Sequence, residues 1–252
     1  MARLRGTKDF WMAALRVEGT AFRTAVAAAD PQAPVLSCPG WTTTRLVHHL
    51  GSIYDWVLGI LAAPPDRRPE PPRVPEGLPT SAAAIDWWQE RYDRLMGRLD
   101  DIDPDAPAWN WAPQPKRAAF WHRRMAHESA VHRWDAQAAL SAATPIEAKL
   151  AADGIGEVLD SWLPAGRRRS SSPRYGVVHL VATDCAQEWF VRLRGAGMAL
   201  LDTATILDDD RHPRARASGT ASDLLLALWG RLDLDALELG GDVALLDALQ
   251  PG

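Results

Sequence analysis

The chain has 252 residues, of which 47% are hydrophobic and 24% are charged, a balance typical of a globular protein with one large or two ordinary domains. A net charge of −4 argues against a general nucleic-acid binder, and two cysteines are too few for a disulfide framework. No stretch of about 18 apolar residues is present, so no membrane span is predicted. The opening residues lack the apolar run of a signal peptide, and a cytoplasmic location is expected.

The first half of the chain has the pattern of a helical bundle. Apolar residues at three- and four-residue steps predict four helices, at about 8–29, 43–62, 81–99 and 116–141. Thr42 or Thr43 can cap the second helix. The segment 63–80 is rich in proline and is expected to be a stiff surface excursion. Four long helices joined by loops form a bundle, in which metal sites are built from facing helices.

The fourth helix contains a pair of residues that could bind a metal ion. Glu128 and His132 are four residues apart, so they point the same way and form half of a site for a divalent metal. Asp135 lies near the same stripe of the helix and can orient the ring of His132 without itself binding the metal. His127 is five residues from His132, about 140° around the helix, so these two histidines cannot easily bind one ion. The segment is therefore not the H-E-x-x-H signature of zinc peptidases.

The spacing on the fourth helix also fits an alternative without metal. In that alternative Arg124 and Glu128 form an ion pair on a solvated helix, and a histidine is buried for structural reasons. A third metal ligand would have to come from another buried face. His49 lies in the apolar stripe of the second helix, whereas His48 lies off it. A histidine on an apolar face is often only a hydrogen-bonded core residue, so both interpretations of His49 stay open.

The second half of the chain has a different pattern, in which predicted strands alternate with shorter helices. A fifth helix is expected over about 145–163, followed by a loop rich in arginine and serine. The further elements predicted are strands over 176–183, 188–193, 215–219 and 237–239, and helices over 221–229 and 243–249. Ser222 is a possible cap for the first of these helices. The sequence therefore predicts a bundle domain over 1–145 and a small α+β domain over 146–252.

Two motifs, CPGWTTTRLVHHLG at 38–51 and HESAVHRWDA at 127–136, together resemble the mycothiol-dependent maleylpyruvate isomerase family of actinobacteria. The resemblance covers nearly the whole chain. It implies a mainly α fold, with an N-terminal DinB-like four-helix bundle followed by a small sterol-carrier-like α+β domain. It also implies zinc ligands at His49, Glu128 and His132, the residues that helical phase favours.

The resemblance further implies mycothiol as a cofactor, beside zinc (Zn2+) or another divalent metal. Three protein ligands leave an open position on zinc, as in catalytic sites, and bound zinc can hold a thiol as a nucleophilic thiolate. Neither Cys38 nor Cys185 has an evident activating environment, so an external thiol is expected. Arg231 resembles a family residue that is implicated in handling substrate carboxylates. The expected enzyme is a mycothiol-dependent isomerase or S-transferase, acting on a small electrophilic, carboxylate-bearing substrate.

Two other functions are compatible with these residues. The chain could be a non-catalytic, metal-retaining binding protein for a lipid or other small hydrophobic ligand. It could also be a metal-dependent hydrolase, in which zinc-bound water attacks and Asp135 is the candidate base. His48 stands where the family usually has a small residue and is the alternative ligand to His49. The partners expected are a small-molecule thiol and an electrophilic substrate, without nucleic acid or membrane, and the chain is expected to be a monomer or weak homodimer.

Overall fold

The computed structural model describes residues 6–169, 173–201 and 212–251. The chain divides into two compact units. One comprises Gly6–Asn110 and Pro115–Pro145, and the other comprises Ile146–Gly252 together with the short segment Trp111–Gln114. Within the described part of the chain, the search for a helix of the length and apolarity needed to span a membrane found no candidate.

The first unit is a four-helix bundle. Its helices are α1 (Lys8–Ala28), α2 (Thr43–Ala62), α3 (Ser81–Asp101) and α4 (Ala119–Ala138). Helix α1 packs along α4 and α2 packs along α3, with further contacts between α1 and α3 and between α2 and α4. Large side chains fill the interior between the helices, and the fully buried ones include Phe22, Tyr54, Trp88 and Trp121. The bundle is held together by burial of these side chains from all four helices.

Local sequence sets where α2 begins. Thr42 caps the helix, because its side-chain oxygen accepts a hydrogen bond from the backbone N–H of Arg45 at 3.2 Å. The preceding connection from α1 is a compact turn, in which the Val35 N–H donates to the Trp41 carbonyl at 2.9 Å. The turn and the cap together fix the start of α2 and the helical phase of His49, which lies less than two turns further on.

Helix α4 is buried on most of its faces: 14 of its 20 residues are buried. Several of these are polar, so α4 has no one-sided apolar stripe. Its buried charges are paired with neighbouring elements. Arg133 Nε donates to Glu18 Oε2 on α1 at 2.6 Å, and Arg133 Nη1 donates to the Thr144 carbonyl at 2.6 Å. The polar side chains of α4 are thus held in fixed positions, which is a requirement for a functional site.

The second unit is an α+β domain. It begins with α5 (Ala148–Glu157), which continues into a π-helical turn at Val158–Trp162. The strands among its described residues are β1 (Arg174–Ala182), β2 (Gln187–Gly195), β3 (Gly197–Leu201), β4 (Arg214–Gly219) and β5 (Glu238–Gly241). They form one sheet in the order β3-β2-β1-β4-β5, in which β1 pairs antiparallel with β2 and parallel with β4. The fold class predicted from the sequence, a helical bundle followed by a small α+β domain, is confirmed.

Three details of the second unit differ from the sequence-based expectation. The strand Gly197–Leu201 was not predicted. Helix α6 (Ala221–Leu228) is capped by Thr220 and not by Ser222, since Thr220 Oγ1 accepts from the Asp223 N–H at 3.1 Å. The closing segment Val243–Leu249 is a 3-10 helix. Each difference is local and leaves the domain architecture unchanged.

Candidate metal centre

Three side chains from two helices converge inside the first unit. His49 comes from α2, and Glu128 and His132 come from adjacent turns of α4. The Nε2 atoms of both histidines lie 3.3 Å from the same oxygen, Glu128 Oε1. Their rings are edge to face, with centroids 4.9 Å apart. One potential ligand atom from each residue lies within 4.8 Å of the other two, so the three side chains surround one small volume.

Glu128 is an ionised carboxylate at the middle of this group. Its Oε2 accepts a hydrogen bond from Arg124 Nη2, one helical turn away, and both side chains are largely buried. Burial acts to raise the pKa of Glu128. The Arg124 charge and the contacts with His132 and His49 outweigh burial and hold that pKa well below its ordinary value. The Arg124–Glu128 ion pair therefore forms inside the bundle, not on a solvated face.

Asp135 fixes the orientation of His132. The Nδ1 of His132 donates to Asp135 Oδ2 at 2.8 Å, and Asp135 has no exposed surface. Burial acts to lower the pKa of His132, but hydrogen bonds to Asp135 and Glu128 outweigh it and raise that pKa to about 8. When the ring is neutral, the Asp135 contact keeps the proton on Nδ1. The lone pair is then on Nε2, the atom that faces Glu128 and His49.

The donor set fits a divalent cation. Two imidazole nitrogens and one carboxylate oxygen are ligands that zinc takes in catalytic sites, and nickel or iron accept the same set. Both Nε2 atoms lie 3.3 Å from Glu128 Oε1, so a cation at these three atoms would be held by a lone pair from each of them. The residues of this group are therefore suited to hold the metal that the sequence motifs predict.

The sequence analysis missed the contribution of the turn between α1 and α2. Ser37 Oγ donates to Asp135 Oδ1 at 2.6 Å, and Cys38 Sγ donates to Asp135 Oδ2 at 3.5 Å. The ring of Trp41 lies 4.7 Å from the ring of His49, between centroids. No local spacing relates this turn to a helix almost a hundred residues later, so the sequence could not predict these contacts. The CPGWT motif was its only signal that the turn matters. A thiolate at Cys38 would face a carboxylate, so these surroundings do not activate that thiol.

The remaining candidate residues lie outside the His49–Glu128–His132 group. His48 Nε2 lies 2.7 Å from the Pro79 carbonyl, and its ring meets Trp87 edge-on. Cys38, His132 and Asp135 form a second cluster of potential ligand atoms in the described part of the chain. His127 is buried in α4 and belongs to neither cluster. Arg231 is in the second unit, where its Nη1 donates to the Trp229 carbonyl at 3.0 Å.

A four-helix bundle with a partly buried His-Glu-His group, followed by a small α+β domain, defines the class of DinB-like bundle proteins with an appended domain. Family comparison identifies the family within this class. Residues 12–137 match the mycothiol maleylpyruvate isomerase N-terminal domain, and residues 149–248 match the C-terminal domain of the same family. The chain belongs to this family of isomerase-like enzymes, as the two sequence motifs predicted.

Two solved structures share the fold over nearly the full length. A mycothiol-dependent maleylpyruvate isomerase is 13% identical with a TM-score of 0.63, and the match covers 93% of each chain. A histidine-to-alanine mutant of a mycothiol-dependent maleylpyruvate isomerase is 12% identical with a TM-score of 0.64, again over 93% of each chain. Among curated proteins, none matches the chain significantly. At such low identity the likeness is one of fold alone.

Proposed function

We propose that this protein is a divalent-metal-dependent enzyme that uses mycothiol either to isomerise a small electrophilic substrate bearing a carboxylate or, as an S-transferase, to add the thiol to that substrate. The observation that supports the proposal most is the convergence of the Nε2 atoms of His49 and His132 on one oxygen of Glu128. Membership of the isomerase family supports the choice of thiol and the reaction class.

His49, Glu128 and His132 would hold the ion, most simply zinc. Zinc bound there supplies a Lewis acid that keeps a thiol sulfur as a thiolate near neutral pH. The chain's own residues prepare the ligands for this role. Arg124 keeps Glu128 ionised, and Asp135 keeps the proton of His132 on Nδ1, so that Nε2 is available as a ligand.

We assign Asp135 a positioning role and not that of a general base. Its carboxylate has no exposed surface, and its two oxygens accept hydrogen bonds from Ser37, Cys38 and His132. A general base must reach the proton that it removes, directly or through one water. The hydrolase alternative depends on Asp135 as base, so the geometry favours thiol chemistry over hydrolysis.

Arg231 is proposed to bind the carboxylate of the substrate. It follows Gly230, which has a left-handed φ of 67°, and lies three residues beyond the end of α6 at Leu228. A planar guanidinium is suited to a bidentate grip on a carboxylate. Positioning of this kind acts on turnover and leaves the metal undisturbed. Replacement of Arg231 therefore separates substrate handling from metal binding.

The test compares zinc-loaded protein with protein stripped by a chelator. Each form is incubated with mycothiol and a panel of small unsaturated carboxylates, and isomerised product or thiol adduct is measured by chromatography. We expect turnover only when zinc and mycothiol are both present, and loss of turnover in Glu128→Gln. Turnover without thiol, with hydrolysed product, would support the hydrolase. Stoichiometric zinc without turnover of any substrate would support the binding protein.

A further inference from the structure

The turn between α1 and α2, which we name the anchoring loop (Val35–Thr42), is tied together by its own backbone. The Val35 N–H donates to the Trp41 carbonyl at 2.9 Å, and the Trp41 N–H donates to the Cys38 carbonyl at 3.0 Å. Leu36 points away from the bundle and is 82% exposed. The loop therefore has a defined shape that does not depend on apolar burial of Leu36.

Two polar side chains of the anchoring loop, Ser37 and Cys38, contact Asp135. A carboxylate with no exposed surface must have its oxygens satisfied by donors. His132 Nδ1 approaches Oδ2 at 2.8 Å, Ser37 Oγ approaches Oδ1 at 2.6 Å, and Cys38 Sγ approaches Oδ2 at 3.5 Å. The Ser37 contact is in the range of a strong hydrogen bond to a charged acceptor, whereas a thiol is a weak donor. Ser37 therefore makes the stronger of the two contacts between the anchoring loop and Asp135.

We infer that Ser37 is a positioning residue for metal binding, acting through Asp135 on the ring of His132. Ser37 holds one carboxylate oxygen and His132 binds the other, so the carboxylate has one orientation. Without Ser37, Oδ1 loses its short contact with the hydroxyl, and rotation of the carboxylate would loosen the ring of His132. Cys38 makes a smaller contribution of the same kind. This inference rests on the metal-binding part of the proposed function.

A second contact of the anchoring loop supports the inference. The ring of Trp41 lies 4.7 Å from that of His49 and 6.3 Å from that of His132, between centroids. The loop thus touches both histidines through Trp41 and reaches His132 again through Asp135. One short segment therefore relates the ligand from α2 to the ligand from α4.

The experiment measures zinc affinity by competition with a chromophoric chelator. Loss of a residue that hydrogen-bonds a metal ligand costs about 10- to 100-fold in metal affinity. Ser37 is one hydrogen bond further from the ligand His132 than Asp135 is, so we expect about tenfold weaker zinc binding in Ser37→Ala. Ser37→Thr keeps the hydroxyl and should bind zinc as wild type does. Leu36→Ser is the matched control in the same loop and should also be unchanged. Cys38→Ala should lose less than Ser37→Ala.

A double-mutant cycle tests whether Ser37 affects zinc binding through Asp135. If Ser37 acts through Asp135, Ser37→Ala should add no further loss of zinc affinity in an Asp135→Ala background. Equal losses in both backgrounds, or wild-type affinity in Ser37→Ala, would overturn the inference. Should metal-free Ser37→Ala be unfolded, Ser37→Cys replaces it, and equal affinity of Ser37→Cys and Ser37→Thr would overturn the inference. Absence of zinc binding in the wild type refutes the proposed function itself, so the two failures are distinguishable.

Discussion

Zinc affinity should depend on pH through His132. A proton and a metal ion compete for Nε2 of this ring, so the metal binds only the deprotonated form. The contacts with Asp135 and Glu128 raise the pKa of His132 to about 8. The apparent zinc affinity therefore falls as the pH drops below that value, and it levels off above it.

The size of the effect distinguishes this histidine from an ordinary one. For a pKa of about 8, lowering the pH from about 8.5 to about 7 raises the protonated fraction enough to weaken zinc binding about eightfold. A histidine with an ordinary pKa near 6.5 would change the affinity only about 1.3-fold over the same range. Most of the predicted change therefore reports the environment of His132.

The assay is a chelator competition titration at both pH values, with wild type and Asp135→Asn. The Asp135 hydrogen bond is the largest of the contacts that raise the pKa of His132, so its loss should move the pH dependence to lower pH. Asp135→Asn should bind zinc about 10- to 100-fold more weakly at high pH, with a flatter response between the two values. An affinity that is constant across this range in the wild type, or an unchanged slope in Asp135→Asn, would refute the reasoning.

Three further predictions concern ligands, stability and substrate. His49→Ala and His132→Ala should each lose stoichiometric zinc in elemental analysis while His48→Ala retains it; zinc retained in His49→Ala but lost in His48→Ala would reverse the ligand assignment. Glu18→Ala leaves the buried guanidinium of Arg133 without its carboxylate and should lower the free energy of unfolding in urea by about 3–5 kcal/mol. Asp100→Ala breaks the exposed pair with Arg16 and should lower it by less than about 1 kcal/mol. Equal losses would show that burial of the pair is irrelevant. Arg231→Lys and Arg231→Ala should keep zinc and thermal stability but lose most turnover, and normal turnover in Arg231→Ala would remove this residue from the mechanism.

The helices of the bundle were predictable because the signals that define them are local. Apolar steps and a threonine cap set α2, and the four-residue spacing of Glu128 and His132 sets their common direction. The strand Gly197–Leu201 was not predictable in this way. It is short, has no alternation of polar and apolar residues, and is a strand because it pairs with β2. Its conformation is determined by its partner more than by its own sequence.

The site was predictable only as far as helical phase extends. Phase placed Glu128, His132 and Asp135 along one stripe, and the stripe of α2 selected His49 over His48. The contact between Ser37 and Asp135 joins residues 98 positions apart, and no period along the chain relates them. The alternative without metal placed the Arg124–Glu128 ion pair on a solvated helix, whereas in the structure both side chains are largely buried. Burial of those residues is a property of the whole bundle and cannot be derived from α4 by itself.

The burial of α4 on most of its faces also bears on how the protein folds. A helix that buries Arg133 and Asp135 cannot be stable before their partners on α1 and in the anchoring loop are in place. Those partners precede α4 in the chain, so all of them are already synthesised when α4 leaves the ribosome. Exchange of its amide hydrogens with solvent should accordingly require opening of the whole bundle. The two potential ligands on α4 meet His49 only when α4 is packed in the bundle.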